Sequence, residues 1–429
     1  MEPKESVIRL MTRLAMQHKA VNLSQGFTDE APFFGLAWSG VKAMLGGTDE
    51  GFDRLEGLTL EQIARERGEA PEAFLKRSLR EVLAGIQSRR DRFNQYSFPF
   101  GLPELRRAVS EYTERFYGFH ADPEKEITIV LGATEGLSSL LRSTCNPGDG
   151  VIIFQPFHEM YPAQCNLFGL HPQYVTLRED RDRGTWEMDR KEVRRAIDAS
   201  TRAIILNTPH NPTGKVFSRE DLQFLADLCI ERNLYAITDE IYEHIEYDGH
   251  RHLFLAGLPG MKERTFVINS ISKTGSATGW RVGWVISPAA HTTRLRGIHD
   301  TLVIQAPTPL QRATVDLLQQ DRAFFDEVGK GYQRKRELLL RGLREAGFHV
   351  SAPEGAYYFF ADYRGVPAIR SLPPMDAAMY LIEKVGVASV PGDNFYKVGR
   401  EGDDYLRFAF CRSLETLEEG VRRFRKHLA

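Results

Sequence analysis

The sequence predicts an α/β fold: a mostly parallel sheet in a large domain, and a smaller α+β domain assembled from both chain ends. Three observations carry that expectation. From residue 127 onward short β-type runs alternate with helical patterns, as they do in a parallel sheet covered on both faces. Residues 357–360 and 406–410 read as strands set between a long charged helix and a final one. The 429 residues are 42% hydrophobic and 27% charged, an ordinary globular composition with length for two or three units at roughly 150 residues each.

Taken in order, Val7, Ile8, Leu10, Met11, Leu14 and Ala15 recur at helical spacing and predict a short amphipathic helix within 5–20. A glycine-containing loop, Val21-Asn22-Leu23-Ser24-Gln25-Gly26-Phe27-Thr28-Asp29-Glu30, follows. Residues 50–92 interleave acids with bases and read as a solvated helical hairpin. Within it Pro71 opens a helix whose Leu75, Leu79, Val82, Leu83 and Ile86 share a face. Strands are then expected at 127–131, 151–154, 203–206, 235–238, 265–269 and 284–287. Helices are expected at 132–142 and, capped by Ser218, at 218–233. The expected division is 1–95 for an N-terminal arm and part of the small domain, with a helical insertion at about 40–92. The large domain takes 96–320 and the small C-terminal domain 321–429.

Lys and Arg number 56 against 58 Asp and Glu, a net charge of −2, which argues against a chain built to grip nucleic acid. Cys145, Cys165, Cys229 and Cys411 stand far apart with no C-x-x-C pair. Neither a disulfide framework nor a thiolate metal site is expected, and a reducing, cytoplasmic setting is. Apolar runs reach only strand length, so no transmembrane helix is expected. The first twenty residues mix acids with bases and lack a signal-type apolar block, and read as part of the folded protein.

The most informative segment is Ser270-Ile271-Ser272-Lys273-Thr274-Gly275-Ser276-Ala277-Thr278-Gly279-Trp280-Arg281. A lysine after hydroxyls at a strand's end suits an amine that forms an imine with an aldehyde. The hydroxyls and the arginine beyond it suit a phosphate. Alone, an ordinary loop lysine explains the segment equally well. Asn207-Thr208-Pro209-His210-Asn211-Pro212-Thr213-Gly214 follows another strand, and Thr238-Asp239-Glu240-Ile241-Tyr242 ends the next. An Asp at a strand's carboxyl end faces the crevice where open α/β sheets bind ligands. There it could keep a pyridine nitrogen protonated while Asn211 and Tyr242 donate to a phenolic oxygen. Leu131-Gly132-Ala133-Thr134-Glu135-Gly136 joins a strand to a helix and offers backbone amides to a phosphate.

In this order the four motifs resemble the fold-type-I, class I aminotransferases that use pyridoxal 5′-phosphate (PLP). Within them the chain is most similar to the subgroup of kynurenine aminotransferase, glutamine transaminase and cysteine-S-conjugate β-lyase, which the run 237–288 matches almost continuously. The resemblance implies the fold-type-I PLP transferase architecture and a homodimer with shared active sites. It implies an L-amino acid and a 2-oxo acid as substrates. Lys273 would be the Schiff-base lysine, Asp239 the partner of the pyridinium nitrogen, and Asn211 and Tyr242 the ligands of the phenolic oxygen. The amides of Ala133 and Thr134, with Ser270, Ser272 and Arg281, would hold the phosphate. Tyr96 resembles the tyrosine that reaches the neighbouring subunit's phosphate. Arg407 matches the arginine that forks the substrate α-carboxylate, with Asn211 also on the substrate and Gly26 beneath it.

The departures from the family pattern carry expectations of their own. Where the family usually stacks an aromatic residue on the cofactor ring, Gln155-Pro156-Phe157-His158-Glu159-Met160-Tyr161 has His158. An imidazole can stack, hydrogen-bond or move a proton, so His158 is both a cofactor-binding and a catalytic candidate. The subgroup's Gly-Phe-Pro-Asp loop reads Gly26-Phe27-Thr28-Asp29-Glu30, and the tryptophan its N-terminal helix turns on aromatic substrates aligns with Ile8. Both point away from an aromatic substrate. The stretch between Gly26 and Asn94 is longer than the subgroup's by roughly forty residues, and loops of such length are functional or disordered. Transamination leads. The alternative is another PLP outcome (elimination, replacement, cyclisation or oxidation) on a cationic, arginine-like amino acid. Thr28, Asp29 and Glu30 would receive it, because two close carboxylates raise each other's pKa unless a cation sits between them. An effector-binding regulator is a third class, set behind these because the lysine, aspartate and arginine set is intact.

Overall fold

The computed structural model describes residues 5–46, 55–87 and 93–428. The chain enters through a helix at Val7–Gln17, which buries Ile8, Met11 and Ala15, and a two-residue strand, β1 (Val21–Asn22). Then come β2 (Ile127–Val130), β3 (Gly150–Gln155), β4 (His171–Asp180), β5 (Thr185–Met188) and β6 (Thr201–Asn207). These are followed by β7 (Tyr235–Asp239), β8 (Thr265–Ser270) and β9 (Gly283–Ile286). β2 to β9 form one eight-stranded sheet in the order β2-β9-β8-β7-β6-β3-β4-β5. β9 runs antiparallel to both neighbours and β5 antiparallel to β4; every other pairing is parallel. All residues of β3 and β8 are buried, which is why these strands read as short apolar runs without alternation.

The remaining strands are β10 (Tyr358–Asp362), β11 (Val387–Ala388), β12 (Val390–Pro391) and β13 (Tyr405–Ala409). They build a small antiparallel sheet, β10-β13-β12, and a parallel pair in which β1 meets β11 through Val21 and Val387. The amino-terminal segment is thereby stitched into the carboxyl-terminal α+β layer, beside the long helix Arg322–Glu345 and the final helix Leu414–His427. No described helix is long and apolar enough to cross a membrane.

Three local expectations need correction. β4 and β5 were not foreseen, because β4 opens on His171-Pro172-Gln173, exposed or half-buried, and lacks an apolar run. The helix opened by Pro71 stops at Phe74, and a separate one covers Leu79–Ile86. Ser78 restarts it: its hydroxyl accepts from the Glu81 amide while the Glu81 carboxylate accepts from the Ser78 amide, a reciprocal cap. The expected common face dissolves with the break. Leu75 and Leu79 are exposed, and Val82 joins Ile63, Ala64 and Phe74 in a small core of its own. Residues 47–54 and 88–92 of that stretch, and the Ile86 side chain, lie outside what the structure describes.

Candidate active site

Because β2, β3, β6, β7 and β8 run parallel, their carboxyl ends open on one edge of the sheet, where doubly wound proteins place ligands. β2 leads into the helix Gly132–Thr144, β3 into Pro156-Phe157-His158, and β6 into the Asn211 loop; β7 ends on Asp239 and β8 on Ser270. The Gly26 loop and β13, with Arg407, close the cavity from the small-domain side. Its volume is about 560 Å³, within the range of small-molecule sites. Gly26, Ala133, Thr134, His158, Asn211, Tyr242, Ser270, Ser272, Lys273, Arg281 and Arg407 all line it.

The Lys273 amine donates to the Gly26 carbonyl at 3.0 Å, and the Tyr357 hydroxyl donates to the same oxygen at 2.9 Å. Gly26 is glycine because of this close approach: a Cβ there would stand 1.9 Å from the Tyr358 hydroxyl oxygen. Burial, which disfavours the ammonium form, lowers the pKa of Lys273 to about 8. Asp239 accepts a hydrogen bond from Tyr161 at 2.7 Å on Oδ2, while Oδ1 is buried with no partner. Burial raises its carboxyl to about 6. Asn207 ties the neighbouring strands together. Its Nδ2 donates to the Asp239 carbonyl at 2.9 Å and its Oδ1 accepts from the Asn211 amide at 2.7 Å.

Arg407 is buried and threaded between the rings of Tyr358 and Phe395, 4.5 and 4.8 Å from its guanidinium carbon. Nη1 donates to Asn211 Oδ1 at 3.0 Å and Nη2 to the Ser24 carbonyl at 2.6 Å; buried Nε has no partner. A buried guanidinium with an unused N–H beside a cavity suits a carboxylate. His158 stands edge-on to Tyr161, and its Nδ1 is buried without a partner. Burial, then the Arg407 and Lys273 cations, lower its pKa to about 3, so the ring is neutral.

On the opposite side of the cavity the backbone is shaped for an anion. The Ala133 and Thr134 amides belong to the first turn of Gly132–Thr144, where amides point outward unpaired. Gly132 has φ +74°, and a Cβ on it would lie 2.2 Å from the Arg281 guanidinium. Arg281 is itself left-handed, at φ 57°, and donates to the Thr278 carbonyl at 2.9 Å. The unpaired Asp239 oxygen, the half-buried lysine and this anion cradle together fit a phosphorylated pyridine aldehyde.

The model of the family described as aminotransferase class I and II matches residues 66–424. The chain belongs to that family. Human kynurenine–oxoglutarate transaminase 1 is 32% identical over 364 residues, covering 78% of this chain and 86% of the human one. A probable N-succinyldiaminopimelate aminotransferase of Mycobacterium tuberculosis is 32% identical over 426 residues, covering 97% of this chain and 95% of its own. The solved structure of the N-succinyldiaminopimelate aminotransferase from that organism superposes with a TM-score of 0.83 at 32% identity, covering 97% of this chain and 96% of that one. This fold-type-I aminotransferase is an amino-group transferase, and PLP is its cofactor.

The other expected site residues fall elsewhere. Both oxygens of Asp29 are engaged at the start of the last helix, by the Ser413 amide at 2.5 Å and the Thr416 hydroxyl at 2.8 Å. Glu30 pairs with Lys335, and Thr28 Oγ1 accepts from the Glu30 amide at 3.0 Å. None of the three lines the cavity. The expectation that Asp29 and Glu30 receive a cationic side chain is therefore corrected: each carboxylate already has donors from its own fold. Tyr96 is 79% exposed and outside the cavity of its own chain. The aminotransferase also has site residues that pattern reading missed. Tyr161 holds Asp239, Tyr358 stacks on Arg407, and Ser6, Arg9 and Glu159 line the cavity mouth. Tyr161 sits in a motif already singled out, but nothing in the spacing says that its hydroxyl reaches Asp239.

Proposed function

We propose that this aminotransferase takes the amino group of an L-amino acid through Lys273 and delivers it to a 2-oxo acid, working as a homodimer. The observation that carries the reading is a half-buried amine and a buried guanidinium with a free N–H lining one cavity, with a buried carboxylate carrying a free oxygen at the end of β7 beside it. Lys273 would hold the cofactor by its aldehyde group and, as the amine lining the cavity, would move the substrate's Cα proton. When bound, PLP supplies the electron sink for the pair left behind by the proton. Asp239 would hold the proton on the pyridine nitrogen, kept in place by Tyr161. Asn211 and Tyr242 would donate to the phenolic oxygen. Ala133, Thr134, Ser270, Ser272 and Arg281 would hold the phosphate. Arg407 would fix the α-carboxylate, and His158, neutral, would pack against the cofactor.

The exposed Tyr96 supports a two-fold assembly in which each chain completes the other's phosphate site, and light scattering that found an active monomer would contradict it. A division at about residues 95 and 320 suits hinged closure over the substrate, and the free cysteines, all buried, suit a reducing, cytoplasmic setting. An absorbance scan of pure protein titrated with the twenty amino acids and ornithine tests the central reading. The visible band should bleach with the preferred donor, and a 2-oxo acid should appear together with an aminated acceptor. A 2-oxo acid released without any aminated acceptor would point to elimination or oxidation instead.

A further inference from the structure

Behind the cavity, on the far side of the ends of β7 and β8, lies a buried polar cluster. Glu243, one residue past Tyr242, is 5% exposed and accepts three hydrogen bonds. Tyr112 donates to Oε1 at 2.6 Å, Asn269 Nδ2 donates to the same oxygen at 2.5 Å, and Tyr117 donates to Oε2. Asn269 passes the connection on, since its Oδ1 accepts from the Ser270 amide at 2.7 Å. Ser270 Oγ in turn accepts from the Ser272 amide at 3.3 Å. Glu240 accepts from buried His252 at 2.8 Å, and its amide donates to Ile268 at 3.0 Å. Glu240, Glu243 and His252 present metal-ligand types within 4.8 Å of one another. Glu243 is fully engaged by N–H and O–H donors, whereas Glu240 Oε1 and His252 Nδ1 are buried without partners.

We propose that Glu243 is a positioning residue for the lysine loop: through Asn269 it sets the backbone of Ser270–Lys273, and with it the amine and the phosphate side of the site. This rests on the assignment of Lys273 and Ser270 to the cofactor. A strand end is free to fray unless something fixes its last amides. Among the described residues, Asn269 is the one side chain that hydrogen-bonds both the Glu243 carboxyl behind and the Ser270 amide in front. A buried carboxyl group with three donors is a stiff anchor, because losing any donor leaves a buried oxygen less well satisfied. Glu243 touches neither the cavity nor Lys273 directly, so its effect on the site can only be transmitted.

The test uses the loaded full-length protein and Glu243→Gln, Asn269→Ala and the swapped pair Glu243→Gln with Asn269→Asp. In the pair the hydrogen bond reverses: the Gln amide donates to Asp, whose other oxygen still accepts from Ser270. Three quantities are read: the pH midpoint of the visible cofactor band, the Kd for PLP, and Tm. Asn269→Ala should weaken PLP by about tenfold, the loss of one hydrogen bond to the loop, and shift the spectral midpoint; Glu243→Gln, whose amide oxygen still accepts from Asn269, should do both by less. The swapped pair should restore both. Tyr117→Phe removes a donor on the other oxygen and should lower Tm while leaving the midpoint unchanged, which keeps the test readable if Glu243→Gln folds poorly. An unaltered midpoint and Kd in both single variants, with a normal band in the unmodified protein, would overturn the positioning role alone. No visible band in the unmodified protein would overturn the Lys273 assignment and this role with it.

Discussion

The two walls of the cavity were made by different means. The cofactor wall is a row of strand ends: Asp239, Ser270 and the Asn211 loop stand where parallel strands stop, and Asn207 on the adjacent strand bonds both the Asp239 carbonyl and the Asn211 amide. The substrate wall is assembled from distant pieces: the Gly26 loop, the N-terminal helix and β13. Its contacts join residues far apart, such as Arg407 with Ser24 and Lys273 with Gly26. On the first wall chemistry follows from local geometry. On the second a side chain's task depends on what the rest of the chain brings against it, and Asp29 is the example. A carboxylate beside the substrate loop turns out to cap a helix almost four hundred residues away in sequence.

The largest effect should come from the cofactor wall. Lys273→Ala should abolish both turnover and the visible absorbance of cofactor joined to protein, while the phosphate side still retains PLP in equilibrium dialysis. Turnover surviving in that variant would end the assignment. Next, Arg407→Ala should lower kcat/KM for every amino acid by at least about a hundredfold, the loss of two charge-assisted hydrogen bonds, with an unchanged cofactor spectrum. A spectrum that shifted as much as the kinetics would place Arg407 on the cofactor instead of the substrate.

A third test asks what the buried amine costs. In the stripped protein the folded-state pKa of Lys273, about 8, lies below the ordinary 10.5. The unfolded chain therefore binds more protons between those values, and stability rises with pH across them. Below about pH 8 the burial penalty is present in full; by pH 10.5 it is gone. Lys273→Met should thus stabilise the stripped protein by up to about 3 kcal/mol at pH 7, a gain that vanishes near pH 10.5 in urea titrations. A gain that stayed constant with pH would mean better packing and not the removed charge.

The smallest effects belong to the corrected pair. Asp29→Asn and Glu30→Gln should change kcat/KM for arginine or ornithine by less than about threefold, under roughly 0.7 kcal/mol. Asp29→Ala should lower unfolding free energy by about 1 kcal/mol, as loss of a helix cap does. A tenfold loss specific to basic donors would reinstate the cationic pocket.

The same contrast explains what was legible in the sequence. The cofactor-wall candidates sit in short motifs at strand ends, where residue type, position and chemistry coincide within a few residues. The parallel sheet was legible because buried strands are apolar throughout. β4 was not: its first half faces solvent, and its place is set by pairing with β3 from Gly150–His171 onward. The break between Pro71 and Leu79 was hidden because a helical face can be drawn through Leu75 and Leu79 whether or not the backbone follows it. The reciprocal bonds of Ser78 and Glu81 decide otherwise. Asp29, Tyr161 and Glu243 were opaque for one shared reason: their partners are contributed by tertiary structure, and sequence spacing carries no record of them.

One consequence of the strand order concerns the birth of the protein. β2 is the first strand of the large sheet to be made, yet it lies at the edge and pairs only with β9, the last. β3 waits only for β4, the next strand made, and from β4 onward each strand finds a neighbour already present; β2 must wait until residue 286 has been synthesised. Closing a loop of that length is entropically costly and slow. The helix that follows β2 carries the Ala133 and Thr134 amides, so within the cofactor wall the anion cradle is the part anchored last as the chain leaves the ribosome. Chains truncated before β9 should hold β7 and Asp239 in a forming sheet while having no fixed place for a phosphate.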